Sequence, residues 1–277
     1  MVSSHELIRR KYAADGEAFV RRYREISFAK HLSLMKSHMG LRPGMRVLDI
    51  GCGTGALLVE LAAFGVEAVG IDTFEEGEDH IDRQIAEARA REAGVRFELT
   101  AGDATRMPYA SGEFDIAVNL GMLEHIPPAV RPAMLSEMFR VVKPGGSLFL
   151  VAGPTWATPF DQHIPSVPGV NWLPHAWKVK VNGWTGRRQF LAVPWGISRR
   201  SLREALPASQ ARFTSLYGQF FSLPSGQPLG PFRPTPFWIL AWAKRKLRLH
   251  RAFGAAAQLL YLAGQEHCHI LAIRKVA

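Results

Sequence analysis

The segment Val47-Leu48-Asp49-Ile50-Gly51-Cys52-Gly53-Thr54-Gly55 constrains this chain more than any other. An apolar run ends in three glycines at alternate positions, and an apolar stretch with helical spacing follows. Glycine tolerates positive φ and lets a ligand approach the backbone closely. The segment therefore reads as a strand, a tight turn and a helix start. In open α/β sheets, ligands bind outside the carboxyl ends of such strands.

The rest of the first half keeps the same rhythm. Arg46–Ile50, Ala68–Asp72, Val95–Thr100, Phe114–Asn119 and Ser147–Ala152 read as buried strands. Residues 56–64, 80–93 and 129–141 show helical spacing between them. Pro127-Pro128 suits the start of the third helix, and Lys143-Pro144-Gly145-Gly146 stops it. Strands alternating with helices predict an α/β fold with a doubly wound, largely parallel sheet and right-handed crossovers.

Beyond residue 152 the rhythm breaks. Residues 153–196 are rich in Pro, Trp and Gly without clear periodicity. A short helix at 198–206, a strand near Arg212–Tyr217, a Pro-rich loop at 222–236, a helical stretch to 263 and a last strand, His267–Lys275, are expected. The expected organisation is one domain over 1–277: N-terminal helices at 1–45, a ligand-binding core at 46–152, cap insertions and late elements at 153–263, and a final strand at 264–277.

Charge divides the chain the same way. Residues 1–152 hold 18 Lys/Arg and 21 Asp/Glu, a balance of −3, whereas residues 153–277 hold 16 Lys/Arg and three acids, a balance of +13. All seven tryptophans and 12 of the 18 prolines also lie in the second part. Two cysteines, Cys52 and Cys268, make no disulfide framework, and the N-terminus lacks a charged-then-apolar signal pattern. A soluble, cytoplasmic protein is the expectation. The basic surface calls for an anionic partner without choosing among substrate, membrane and nucleic acid.

Two adenosine-bearing ligands fit the glycine turn. Gly51, Gly53 and Ala56 satisfy a dinucleotide fingerprint, and Asp72 stands about 20 residues on, where a ribose-binding acid belongs. Asp49, inside the strand, suits a ligand with an amino group and a sulfonium better than a pyrophosphate. Asp103, in Ala101-Gly102-Asp103-Ala104, is placed to accept from an adenine amine.

These residues, with Val69-Gly70-Ile71-Asp72, Met107-Pro108-Tyr109, Phe114-Asp115, Leu123-Glu124-His125-Ile126 and Val142-Lys143-Pro144-Gly145-Gly146, resemble class I S-adenosylmethionine-dependent methyltransferases over about 45–152. The similarity is to the broad "type 11" group that includes ubiquinone-biosynthesis C-methyltransferases. It implies a Rossmann-like seven-stranded sheet whose last strand is antiparallel, here with a Trp/Pro-rich cap over its C-terminal edge. It further implies S-adenosylmethionine as cofactor, with Gly51, Gly53 and Gly55 along its methionine part and Asp72 on the ribose. Asp103 and Ala104 would flank adenine, and Asn119, Leu120 and His125 would lie near the methyl group. Cys52 and Thr73 complete the expected lining. Asp115 reads as structural.

The acceptor is less constrained. His125, Asp161 and His163 are the candidate catalytic residues, needed as bases only if the acceptor loses a proton during attack. His125, Trp156, His163, Trp172 and Trp177 are the candidate acceptor contacts, aromatic faces beside cations that suit a hydrophobic, lipid-like or sugar-like molecule. Asp161, His163 and His175 match no established ligand spacing, so no metal is expected. Residues 236–263 place a basic block between two apolar runs, a pattern that suits either a helix buried on one side with a solvated basic face or peripheral contact with an anionic membrane. An RNA methyltransferase and a catalytically silent cofactor-binding protein are the alternatives. Nucleic acid is the less expected partner, because no RNA-binding module is recognisable.

Overall fold

The computed structural model describes residues 28–74, 80–153, 197–207, 209–223 and 269–276, with 172–174, 176–177, 180–181 and 255 between them. In chain order the elements are α1 (Ala29–Met39), β1 (Arg46–Ile50), α2 (Ala56–Ala63), β2 (Glu67–Asp72), α3 (Ile81–Ala93) and β3 (Glu98–Ala101). There follow β4 (Phe114–Leu120), a 3-10 turn (Leu123–His125), α4 (Arg131–Val141), β5 (Val142–Ala152), α5 (Arg199–Glu204), β6 (Ala211–Ser215), α6 (Tyr217–Ser222) and β7 (His269–Lys275).

One seven-stranded sheet runs in the order β3-β2-β1-β4-β5-β7-β6. The first five strands are parallel, and β7 lies antiparallel to both β5 and β6. This is the doubly wound sheet with an antiparallel last strand that the sequence led us to expect. The central strands are buried on both faces, as parallel strands between helix layers must be. Leu48, Ile50, Val69 and Ile71 meet Met134 and Met138 of α4 on one face, while Val47, Ala68 and Ile116 meet Leu34, Leu58 and Leu61 of α1 and α2 on the other.

Local polar bonds fix where the strands begin and end. Asp115, near the start of β4, accepts from the Arg46 N–H at 2.9 Å and from Lys143 Nζ at 2.9 Å, so it ties together the lower ends of β1, β4 and β5. At the far edge, Lys275 Nζ donates to the Phe139, Arg140 and Val142 carbonyls at 2.8–3.3 Å, closing the C-terminus of α4.

Three boundaries differ from expectation. Lys143–Gly146 ends α4 but already belongs to β5, where the pairing slips between Phe114 and Ile116 and the four residues bulge out. The third strand starts at Glu98 rather than Val95. The late strand stops at Ser215, and α6 follows because Leu216 N–H bonds to the Ile270 carbonyl at 2.7 Å and Tyr217 then turns into the core beside Leu34 and Met35. The expected cap, over 153–196 and 222–263, falls almost wholly outside the described residues.

Candidate functional site

Strand order reverses between β1 and β4, and a two-lobed cleft opens at the C-terminal ends of β1, β2 and β4. This is where an open α/β sheet places its ligand. The larger lobe encloses about 510 Å³ and the smaller about 190 Å³. Gly51, Asp72, Thr73, Met122 and Ile126 line both, so the lobes are continuous.

Asp72 closes β2 and organises the glycine turn. Its Oδ2 accepts the Gly53 N–H at 2.8 Å and its Oδ1 accepts the Thr73 N–H at 2.8 Å. The carboxylate is thus held in one orientation facing the cleft. Gly53 itself has φ +47°, and a Cβ there would meet nothing within 4 Å, so the turn presents bare backbone to open space. At Gly51, by contrast, a Cβ would lie 2.6 Å from Met122 Sδ, and the glycine is what allows Met122 to close over the turn.

Asp49 sits at the floor of the larger lobe, 4% exposed. Among the described residues none donates a hydrogen bond to it. Burial first, and the Asp72 charge second, push its carboxyl up to about 7. Cys52 is buried beside it, its thiol pushed up by burial and then by the surrounding carboxylates, which makes it a packing group rather than a nucleophile.

The smaller lobe is apolar, with Ile71, Ala104, Met122, Ile126, Val130 and Met134 along its walls and Asp103 at its rim. Asp103 Oδ1 accepts the Thr105 N–H at 2.7 Å, which shapes the turn after β3. Glu137 and Arg140 brace that turn from α4: Glu137 Oε2 accepts the Met107 N–H, and Arg140 donates to the Met107 and Tyr109 carbonyls. Arg131 braces the other wall by donating from Nε to the Ile126 carbonyl at 2.9 Å.

The expected lining residues Asp49, Gly51, Cys52, Gly53, Asp72, Thr73 and Leu120 all border the larger lobe, as does His125 in the 3-10 turn. Asp103 and Ala104 border the smaller. Two expected residues sit elsewhere. Asn119 is fully buried and donates from Nδ2 to the Ile50 carbonyl at 2.8 Å, tying β4 to β1 beneath the cleft. Gly55 faces α3, where a Cβ would lie 2.8 Å from the Ala86 methyl, so it serves helix packing. Trp172 and Trp177 are 59% and 51% exposed and border neither lobe. Trp156, Asp161 and His163 lie outside the described residues.

Sequence reasoning missed Asp82, Met122 and Phe28. Asp82 is 3% exposed and lines the larger lobe from the first turn of α3. It is hidden in the sequence by the acids before it, Glu75, Glu76, Glu78 and Asp79. Phe28 reaches the lobe from the chain just before α1. No periodicity marks either position as a ligand contact.

The donor set decides between the two adenosine ligands. Among the described residues, Asp49, Asp72 and Asp82 line the larger lobe, and no lysine or arginine does. A pyrophosphate there would face three carboxylates without a compensating cation. A ligand with an ammonium and a sulfonium matches the unpartnered Asp49, and its adenine matches the apolar smaller lobe. The residues present fit S-adenosylmethionine.

Residues 47–146 match the family described as a methyltransferase domain. The chain is 44% identical over 126 residues to a demethylmenaquinone methyltransferase of Beutenbergia cavernae, covering 44% of this chain and 47% of that protein. It is 33% identical over 132 residues to a sterol 24-C-methyltransferase of Yarrowia lipolytica, covering 47% of this chain and 32% of that protein. The chain thus matches less than half the length of these relatives. Among solved structures, phosphoethanolamine N-methyltransferase 2 of Haemonchus contortus, determined with S-adenosylhomocysteine, shares the fold. It is 16% identical with a TM-score of 0.58, over 100% of this chain and 60% of that one.

Proposed function

We propose that this chain is a class I S-adenosylmethionine-dependent methyltransferase, that it binds S-adenosylmethionine in the two-lobed cleft, and that it methylates a hydrophobic, quinone-like or sterol-like acceptor at oxygen or carbon. The observation that carries the cofactor half is the wall of three carboxylates, with no cation beside them among the described residues, joined to an apolar slot inside the matched segment. The names of the relatives support the acceptor half.

When bound, the cofactor supplies an electrophilic methyl group on a cationic sulfur. The residues of this chain then bind, orient and exclude water. Asp72, already held by Gly53 and Thr73, takes the ribose hydroxyls. Asp49 takes the amino group, whose charge offsets the cost of its burial. Asp103 would accept from the adenine amine, and Ala104, Ile126, Val130 and Met134 would line the slot for its ring. Leu120 and His125 stand at the acceptor end of the larger lobe, with Phe28 as an apolar wall. His125 is the group placed to take a proton if the acceptor must lose one. Trp156, Asp161 and His163 remain the further candidates for the acceptor side.

A lipid-like acceptor goes with a peripheral station at an anionic membrane, on its cytoplasmic face. The exposed Trp172 and Trp177, with Lys180 Nζ 4.9 Å from the Trp177 ring, supply the aromatic and cationic groups that interfaces favour, and 236–263 is the second candidate segment.

Isothermal titration with S-adenosylhomocysteine, with NAD as control, tests the cofactor. Binding of S-adenosylhomocysteine alone is expected; binding of NAD would overturn the assignment. Transfer of labelled methyl from S-adenosylmethionine to demethylated quinones or sterols tests the acceptor, and transfer only to RNA would sink that half.

A further inference from the structure

We propose that Arg131 is the positioning residue of the acceptor end: it clasps the backbone on both sides of His125 and so holds the His125 ring at the wall of the larger lobe. This rests on the function proposed above and adds to it a residue outside the cleft. His125 borders the lobe from an exposed position in a 3-10 turn of three residues, Leu123–His125. Such a turn has poor hydrogen-bond geometry and holds its residues weakly. The direction of the ring therefore depends on what fastens the chain around it.

Arg131 supplies that fastening from the start of α4. Its Nε donates to the Ile126 carbonyl at 2.9 Å and its Nη2 to the Glu124 carbonyl at 3.5 Å. Its backbone N–H donates to the Pro127 carbonyl at 3.3 Å. One residue thus gathers carbonyls from before and after His125. The guanidinium carries its donors in a rigid planar fork, so it sets the separation of two carbonyls as a lone ammonium cannot. Arg131 itself borders neither lobe, whereas Met122, His125 and Ile126 of the clasped loop all do.

The place of Arg131 on its helix argues that it serves the loop. It is the first residue of α4, where the helix dipole opposes a cation. It is also 7% exposed, so its charge is largely withdrawn from water, a cost that the Glu124 charge partly offsets. Lys275 makes the opposite choice. It donates to carbonyls at the C-terminal end of the same helix, where the dipole favours a cation. One clasp suits the helix it closes; the other runs against its helix and suits the turn that carries His125.

The test is nuclear magnetic resonance of the full chain with labelled histidine rings, beside calorimetric titration with S-adenosylhomocysteine. Loss of one signal in His125→Gln identifies the His125 ring. Wild type is expected to show a single sharp His125 signal that moves as S-adenosylhomocysteine is added. Arg131→Met should broaden or split that signal in the empty protein and abolish most of its movement. Affinity for S-adenosylhomocysteine should fall about three- to tenfold, because Met122 and Ile126 of the loosened loop line both lobes. Arg131→Lys, whose ammonium cannot span both carbonyls, should fall between the two. Lys275→Met removes a comparable clasp from the far end of α4 and should leave the His125 signal as in wild type. A sharp, fully responsive His125 signal in Arg131→Met overturns the proposal, as does an equal disturbance in Lys275→Met. If Arg131→Met does not fold, Arg131→Lys carries the test, and a wild-type signal there overturns the proposal equally. Should wild type bind no S-adenosylhomocysteine, the cofactor assignment falls, while the His125 line shape in the empty proteins still decides the clasp.

Discussion

The larger lobe of the cleft is walled by Asp49, Asp72 and Asp82, whereas the smaller is walled by Ile71, Ala104, Met122, Ile126, Val130 and Met134. Both lie over the same strand ends and share Gly51 and Met122, so the same scaffold serves two kinds of recognition. A buried carboxylate such as that of Asp49, to which no described residue donates, destabilises the empty protein, and an arriving cation offsets that cost. An apolar slot stabilises the fold through its own packing and gains further when a flat ring fills it. Stability and binding therefore oppose each other in one lobe and agree in the other.

The largest effect expected from this contrast is at Asp49. Its carboxyl is raised from 3.8 to about 7, so the folded state holds its proton more tightly than the unfolded chain. Stability then falls as pH rises from about 4 to 7 and stays low above 7. The full shift corresponds to about 4 kcal/mol at most, part of which an asparagine amide would forfeit for want of partners. Asp49→Asn should raise the unfolding free energy of the empty protein by about 2–4 kcal/mol at pH 8, with the gain shrinking towards pH 4. The same variant should bind S-adenosylmethionine more weakly. Denaturant unfolding across pH checks the first half and calorimetry the second; a variant less stable than wild type at pH 8 would break the contrast.

Asp72→Ala comes next, because this carboxylate both faces the ligand and holds the turn. Loss of the ribose bonds and release of the Gly53 N–H should weaken S-adenosylhomocysteine by about 1–3 kcal/mol, roughly five- to 150-fold. Titration within twofold of wild type would mean that the ribose lies elsewhere.

How far the sequence reveals this arrangement depends on whether a position is local. The strand, glycine turn and helix at 46–63, and Asp72 at the next strand end, are legible because turn chemistry and alternating apolar runs are encoded over a few residues. Met122 and Asp82 are not, since their places depend on how the loop after β4 and the first turn of α3 fold back over β1. Asn119 and Gly55 stand in motif positions, yet the first bonds to β1 beneath the cleft and the second makes room for Ala86. A motif specifies residue types, while the packing of α3 and β4 decides which way they face. Beyond Ala152 the chain offers composition more than period, and tryptophan content alone does not distinguish a substrate wall from an exposed face such as that of Trp172.

The smallest expected effect sharpens the contrast from the apolar side. Val130, 38% exposed, lines the smaller lobe and no other part of the cleft. Val130→Ala removes two methyl groups from the slot proposed for adenine, a loss of about 0.5–1 kcal/mol in binding given its partial exposure. That loss should be the same for S-adenosylmethionine and S-adenosylhomocysteine, because both carry the same base. It should also be the same at low and high salt and from pH 6 to 9, since no charge is involved. The stability of the empty protein should barely move. A loss that fell on one ligand only, or that faded with salt, would show that the two lobes do not divide recognition into charge and shape, and that the adenine lies against a different wall.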